Sequence, residues 1–454
     1  MPFVSQNPFT LKVEAEYQEI SLSELDSKLS LAVATFKDWS ALSYASRAGY
    51  LEKIAAYLRS HKQELGLIIT KEMGKPLAAA IGEVEKSAWV LEYYAEAAEE
   101  LLKKQIIPTE ASLSYVTFEP LGTILGVMPW NFPFWQVFRF VAPTLMAGNT
   151  VVVKHASNVP QSAQSIEQVF VESGCPKGIY QNLLLSSAKV ENLINDDRIQ
   201  GVSLTGSEAA GQSVAAAAGR AIKKSVLELG GSDPFIVLEG ADVDLSCQVA
   251  VTARLNNAGQ TCISAKRFIV EKGIYDQFVN QLLQHYQNLK LGDPMDQETN
   301  IGPLASQQIL NEVERQVEES VKKGAKLLYG GQKRLEFGYA YQPTILTNVK
   351  PGMPAYDEEV FGPVAAIIKV SNATEAVAVA NDTRFGLGAS LWTNNQELIK
   401  ELVPQIKAGS VFVNGMVKSD PRLPFGGIKK SGYGRELGAY GLKAFTNAKT
   451  VWIK

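Results

Sequence analysis

Thr150-Val-Val-Val153, Asn182-Leu-Leu-Leu185, Gly201-Val-Ser-Leu204 and Ser225-Val-Leu-Glu-Leu229 are four short apolar runs at close intervals. Each is too short for a helix and rich in branched side chains, the pattern of a strand buried on both faces. Helical segments lie between them. Pro160 opens one that Gly174 closes, a short one follows Leu185, and a third runs from about Ser207 to Ala218. A βαβαβαβ chain with such short connections predicts a parallel sheet with helices on both faces.

A second alternating series begins at Pro234-Phe-Ile-Val-Leu238 and continues to about Asn414. It includes Arg267-Phe-Ile-Val270 and helices from about Ile274 to Leu289 and about Gln307 to Lys323. The expectation is therefore two doubly wound α/β domains. The first hundred residues read as helical. Val84, Ala88, Leu91, Ala95, Ala98 and Leu102 form one apolar stripe, and Tyr44, Ala48, Leu51, Ala55 and Leu58 another. Ser112-Leu-Ser-Tyr-Val-Thr-Phe118 alternates like a half-exposed strand, and Thr123-Ile-Leu-Gly-Val127 reads as a buried one. Together they predict a hairpin projecting from the body. The tail, Lys449-Thr-Val-Trp-Ile453, is strand-like and suited to pairing with another subunit's edge.

The 454 residues suggest about three domains at roughly 150 residues each. The composition, 46% hydrophobic and 20% charged, excludes disorder, and a net charge of −3 provides no basic field for nucleic acid. Cys175, Cys247 and Cys262 are too few and scattered for a disulfide framework. His61, His155 and His285 are far apart, so no metal site is expected. The N-terminal segment lacks a basic start and an apolar core, so a reduced, cytoplasmic setting is expected. From Leu121 to Val153 the lone charge is Arg139, and the stretch is long enough to span a bilayer. Its three prolines and two asparagines argue for buried strand, loop and helix instead.

No G-x-G-x-x-G follows the first strand, and no P-loop exists. The informative junction is Leu204-Thr-Gly-Ser207, where Gly206 permits close approach and a helix begins. Ser207 is either part of a phosphate site or a plain helix cap. Cys262, in Gly259-Gln-Thr-Cys262, is either a thiol presented at a domain edge or a buried apolar cysteine. Glu228 ends an apolar strand, as a base with a raised pKa or as a structural carboxylate. Asn131, in Pro129-Trp-Asn-Phe-Pro133, is an oxyanion donor or an amide that pins a turn. Arg139 needs a carboxylate partner, supplied by substrate or by an internal Asp or Glu.

Taken in order, Pro-Trp-Asn-Phe-Pro, Thr-Gly-Ser, Leu-Glu-Leu-Gly-Gly, Gly-Gln-Thr-Cys, Glu359-Val-Phe-Gly-Pro363 and Gly427-Ile-Lys-Lys-Ser-Gly432 are decisive. The chain resembles the NAD(P)-dependent aldehyde dehydrogenase superfamily over essentially its whole length. Within it, Phe134-Trp-Gln-Val-Phe-Arg139, Glu228-Leu-Gly-Gly-Ser-Asp-Pro-Phe235 and Gly415-Met-Val-Lys-Ser-Asp420 resemble short bacterial-type succinate-semialdehyde dehydrogenases.

The resemblance implies roles for individual residues. Cys262 is the nucleophile, Asn131 and the Cys262 N–H hold the oxyanion, and Glu228 activates the water that hydrolyses the thioester. Glu359 and Phe361 match positions that hold the nicotinamide ribose and ring. Trp130, Lys154, Ser157 and Ser207 match the adenosine and phosphate contacts. Ser157 stands where many NAD-preferring members carry Glu, which with Lys154 implies NADP in preference to NAD; the alternative is that Ser157 merely caps the next segment. Arg139 and Ser419 are placed at the substrate's carboxylate. Ser264 occupies the site of a second cysteine in mitochondrial-type relatives. The family's cofactor-binding domain, an atypical Rossmann fold, falls on residues 1–107 and 122–230, its catalytic domain on 231–422. Its oligomerisation hairpin and tail fall on 108–121 and 433–454, implying a homodimer or homotetramer. A CoA-acylating relative is the nearest rival, and Glu228 favours hydrolysis over transfer to CoA. Degradation of 4-aminobutyrate or a bypass from 2-oxoglutarate to succinate would suit the family.

Overall fold

Strand order in the first of two parallel sheets sets the geometry of everything functional in this computed structural model, which describes residues 3–454. Tyr180–Asn182, Thr150–His155, Thr123–Met128, Ile199–Thr205 and Lys224–Glu228 lie side by side and parallel, and Gly432–Tyr433 adds an antiparallel edge. Numbered along the chain, the parallel strands run 3-2-1-4-5. The order reverses between Thr123–Met128 and Ile199–Thr205. Connections leave such a switch point towards opposite faces, which opens a crevice beyond the strands' carboxyl ends. The residues that emerge there are Pro129, Trp130 and Asn131 on one side and Gly206 and Ser207 on the other.

Helices cover both faces. Leu29 and Ala32, from the helix Leu22–Ala41, pack with Val214 and Ala217, from Glu208–Arg220, against Leu125, Val152 and Val202. The other face takes the helices Tyr44–Ser60, Leu77–Leu101, Trp135–Met146 and Pro160–Glu172. Both predicted apolar stripes are on this side, with Leu51, Leu58, Val84 and Leu91 fully buried. Residues 121–153 fold as strand, loop, helix and strand, and among the described residues no helix is long and apolar enough to cross a membrane.

The second sheet has seven strands, in the order Lys326–Tyr329, Thr344–Thr347, Val364–Val370, Ala265–Glu271, Asp233–Val237, Gly388–Trp392 and Ser410–Val413. All are parallel except the first. The expected helices occupy Tyr275–Gln287 and Gln307–Lys322.

Three expectations need correction. The first twenty residues are not helical: Phe3–Gln6 pairs antiparallel with Val13–Tyr17. The strand expected at Asn182–Leu185 lies at Tyr180–Asn182. The hairpin expected between 112–118 and 123–127 does not form. Leu113–Pro120 instead pairs antiparallel with Gln105–Ile106 and with the chain's own tail, Thr446–Ile453. The tail's partner is therefore within the same chain. The reason is visible in the pattern. Ser112–Phe118 alternates, which suits a sheet with one solvated face, whereas Thr123–Met128 is buried on both faces, which requires the centre of a parallel sheet. The crossing between them is clamped by Asn149. Its Oδ1 accepts from the Leu121 and Gly122 N–H groups at 2.8 and 3.1 Å, and its Nδ2 donates to the Phe445 carbonyl at 3.1 Å.

Candidate active site

Three successive residues with left-handed backbone, Asn257, Ala258 and Gly259 (φ 56°, 54° and 77°), lead into Cys262. Two of them carry side chains, so the turn persists because its surroundings hold it. Asn257 Nδ2 donates to the Asn131 carbonyl at 2.8 Å, and Asn131 Nδ2 donates to the Gln260 carbonyl at 3.0 Å. Gln260 Nε2 donates to the Asn257 carbonyl at 3.1 Å, and its Oε1 accepts from the Ala305 N–H at 2.9 Å. Lys266 Nζ donates to the carbonyls of Thr261 and Cys262 at 2.9 and 2.7 Å. A side chain at Gly259 would collide with the Gly362 carbonyl. The loop is thus tied to the Asn131 loop of the first sheet and to the segment before Val364–Val370.

Cys262 precedes the strand Ala265–Glu271, so it stands at the amino end of the second sheet and faces the carboxyl ends of the first. Two cavities meet at it. One, of about 270 Å³, is lined by Trp130, Asn131, Gly206, Ser207, Glu228, Glu359 and Phe361. The other, of about 230 Å³, is lined by Lys86, Trp135, Arg139, Asn256, Ser419 and Phe425. Cys262 and Gln136 line both. Beyond Trp130, Glu359 and Phe361 the first continues into a groove of about 440 Å³ that contains Ser157 and Asn158.

Electrostatics differ along this path. Burial pushes the Cys262 thiol up to about 11, against the pull of Arg139 and Lys266 in the other direction. Glu228 is buried, neither carboxylate oxygen has a hydrogen-bond partner, and its pKa stands well above the usual carboxylate range. Burial is the main cause and Glu436 the second, while Arg139 and Arg435 act oppositely. Arg139 has an internal partner. It forms a buried ion pair with Glu436, donates from Nη2 to Thr205 Oγ1 at 3.2 Å, and lies 4.6 Å from the centre of the Phe425 ring. Glu436 Oε1 also accepts from Ser203 Oγ at 3.0 Å.

The remaining predicted residues fall as follows. Asn131 pins the cysteine loop through one amide N–H, as expected of a turn-holding amide, and lines the cavity beside Cys262. Ser207 caps the helix Glu208–Arg220, accepting from the Ala210 N–H at 3.3 Å, and lines the cavity as well. Glu359 accepts from the Gly231 N–H at 3.0 Å and pairs with Lys266 at 3.2 Å. Phe361 meets Trp130 edge to face, with ring centres 5.7 Å apart. Lys154 is buried near the end of Thr150–His155 and makes no ion pair among the described residues; it lines none of the three cavities around Cys262. Ser419 is buried at the second cavity and accepts from Lys86 Nζ at 2.8 Å.

Lys86, Trp135, Gln136, Lys266 and Glu436 escaped the sequence reading. Lys86 sits within Glu83-Val-Glu-Lys86 on an amphipathic helix, where a lysine looks like any solvated charge. Lys266 adjoins Arg267 at the head of an apolar strand, and a pair of charges at a strand's start reads as a solvated edge.

Residues 2–451 match the aldehyde dehydrogenase family. A protein of Synechocystis sp. named probable succinate-semialdehyde dehydrogenase [NADP(+)] is 51% identical over 453 residues, covering both chains completely. The succinate-semialdehyde dehydrogenase [NADP(+)] 1 of Mycobacterium tuberculosis is 47% identical, again over the full length of both. The crystal structure of succinic semialdehyde dehydrogenase from Streptococcus pyogenes, in complex with NADP+, superimposes with a TM-score of 0.97 at 41% identity and covers 99% of each chain. This chain belongs to the aldehyde dehydrogenase family.

Proposed function

We propose that this protein oxidises succinate semialdehyde to succinate with NADP, through a thioester on Cys262. The observation that carries the reading is the position of Cys262 between two unlike cavities. One holds a buried carboxylate and an amide, and the other ends in the cations Lys86 and Arg139 beside the Ser419 hydroxyl. A short aldehyde bearing a carboxylate fits the second, with its reactive end at the thiol.

The residues of the first cavity and its groove fit a dinucleotide phosphate. The helix Glu208–Arg220 points its N-terminus at Gly206 and Ser207, where nothing approaches a Cβ position at Gly206 closer than 3.8 Å. Glu359 and Phe361 border the same space, and Ser157 places a hydroxyl rather than a carboxylate in the groove. A carboxylate there would repel a 2′-phosphate. Ser157 can donate to one; Lys154, buried at the end of Thr150–His155 and outside the groove's lining, adds only the field of a cation that makes no ion pair among the described residues.

The reaction follows from these positions. The Cys262 thiolate attacks the aldehyde carbon. The resulting oxyanion takes hydrogen bonds from the second N–H of the Asn131 amide and from the Cys262 backbone N–H, a contribution of about 3–4 kcal/mol for one such donor. The bound dinucleotide supplies the hydride acceptor. Loss of hydride from the tetrahedral carbon leaves a thioester on Cys262. Glu228, with its raised pKa, takes a proton from water as the water attacks the thioester carbonyl, and succinate departs with the thiolate restored. The reading extends to a cytoplasmic homodimer or homotetramer. The three-stranded sheet with exposed Leu113, Trp452 and Ile453 supports self-association.

The test is an absorbance assay of reduced cofactor with NADP or NAD, succinate semialdehyde or butanal, and with or without CoA. Turnover favouring NADP and succinate semialdehyde, unaffected by CoA, is expected. A requirement for CoA, or equal use of butanal, overturns the reading.

A further inference from the structure

A half-buried cation without a counter-ion faces the second cavity. Lys86, on the helix Leu77–Leu101, makes no ion pair among the described residues. Its ammonium lies 4.2 Å from the centre of the Trp135 ring and donates to Ser419 Oγ, its one hydrogen bond. An ammonium carries three N–H donors, so two are unused. The nearby acids are engaged elsewhere. Glu83 pairs with the buried Lys75 and accepts from the Phe134 and Trp135 N–H groups, and Asp420 pairs with Arg422 at 2.6 Å. Arg139, the other cation at this cavity, is paired with Glu436. The Ser419 hydroxyl, which accepts from Lys86, keeps its own proton free to donate.

Taking a cation partly out of water without a partner is unfavourable, and a carboxylate that arrives there relieves the deficit. We propose that Lys86, together with the Ser419 hydroxyl, receives the carboxylate of the substrate and sets the preference for aldehydes that carry an acid at the far end, while Arg139 stays bound to Glu436 and contributes its field from behind. This rests on the reading of the substrate given above. The Trp135 ring beneath the ammonium holds it in place and keeps water from one side.

A second consequence distinguishes Lys86 from an arginine in the same position. Burial and Arg139 lower the Lys86 pKa to about 8, with Lys418 acting likewise and Glu83 and Asp420 opposing. The charge that reads the substrate is therefore lost just above neutral pH. Cys262 and Glu228 also titrate, but they act on every aldehyde equally, so the ratio of kcat/KM for succinate semialdehyde to that for butanal isolates the carboxylate site.

The experiment compares the unaltered enzyme, Lys86→Met and Lys86→Arg on both aldehydes from pH 6.5 to 9.5. In the unaltered enzyme the ratio is expected to fall as pH rises through about 8. Lys86→Met should lower the ratio by roughly ten- to a hundredfold at pH 7, through KM for succinate semialdehyde, and abolish its pH dependence. Lys86→Arg should retain the preference and make it flat with pH. If the unaltered enzyme shows no preference for succinate semialdehyde, the substrate reading itself fails. If it shows the preference but Lys86→Met keeps it, or loses both substrates equally, the assignment of Lys86 is overturned while the substrate reading stands.

Discussion

The two cavities that meet at Cys262 are built by different means. The cofactor-side cavity is made of loops at strand ends: Trp130 and Asn131, Gly206 and Ser207, Glu228, and Glu359 with Phe361. Its one buried acid, Glu228, has no hydrogen-bond partner. The substrate-side cavity is made of side chains from helix faces, Lys86 from one helix and Trp135, Gln136 and Arg139 from the next, closed by Ser419 on a C-terminal loop. The buried acid and the amide beside Cys262 sit where backbone geometry dictates position. The two cations sit on helix surfaces, where a residue can change without disturbing a turn. The roles proposed for catalysis and for specificity thereby fall to separate parts of the fold, with the cysteine as their common wall.

That separation can be broken most severely at the wall. Cys262→Ala is expected to abolish oxidation while the protein still binds NADP, as measured by turnover and by cofactor titration. Residual activity above about a hundredth of the original, a barrier rise below roughly 2.7 kcal/mol, would remove the covalent route. Next in size is Arg139→Ala. Glu436 would then be buried without its cation, beside Glu228, and a fall in stability of about 3–5 kcal/mol should appear as a lower melting temperature. An unchanged melting temperature would show that Arg139 is held for substrate alone.

Glu228→Gln should slow deacylation about a hundredfold, so that rapid mixing shows a burst of reduced cofactor and then a stall. A lost burst with normal steady turnover would place Glu228 at thiol activation instead. The same variant reports on stability with a definite sign. The folded-state pKa of Glu228 is raised, so the unfolded chain gives up its proton first as pH rises, and stability is lost through that window. Gln removes the loss, and its thermal advantage should grow as pH rises above about 4.5.

Ser157→Glu should swing the NADP/NAD ratio of kcat/KM towards NAD by roughly ten- to a hundredfold. An unchanged ratio would reduce Ser157 to a surface hydroxyl of the groove. The smallest effect concerns His155, the last residue of the strand Thr150–His155. It is buried without a hydrogen-bond partner, and burial, with Lys154 adding to it, lowers its pKa to about 3. The folded state keeps it neutral while the unfolded chain protonates below about 6.5, so stability drains as pH falls from 6.5 towards 3. At pH 5.5 the loss is about 1.4 kcal/mol. His155→Leu should flatten the melting temperature over that interval, and an unchanged slope would assign the acid sensitivity to other groups.

Legibility in the sequence follows the same division. The parallel sheets were readable because strands buried on both faces leave continuous apolar runs, and the residues lining the Glu228 cavity because they lie in or beside Gly- or Pro-marked turns, whereas Lys154 lies within a strand and lines no cavity at Cys262. Arg139 stood out as a charge in an apolar stretch, yet its partner Glu436 lies almost three hundred residues later in an ordinary polar segment. Lys86 was indistinguishable from a solvent-facing lysine until the Ser419 loop was placed over it. The mistaken hairpin has a related cause: adjacency along the chain outweighed the difference in pattern between 112–118 and 123–127. Local spacing reports turns and strands. It does not report which helix faces meet.

The pairing of Leu113–Pro120 with Thr446–Ile453 also bears on how the protein is made. As a nascent chain leaves the ribosome, the strand near residue 113 appears early and has only Gln105–Ile106 beside it, while its other edge stays unpaired until nearly all the remaining sequence has emerged. Ser419 and Glu436 arrive in that same last stretch. The parallel strands of both central sheets can pair before then, but the edge strand Gly432–Tyr433, the cavity closed by Ser419 and the partner of Arg139 do not yet exist. The polypeptide thus passes through a long interval with an open strand edge and an incomplete site, the condition in which edge-to-edge association between chains competes with folding.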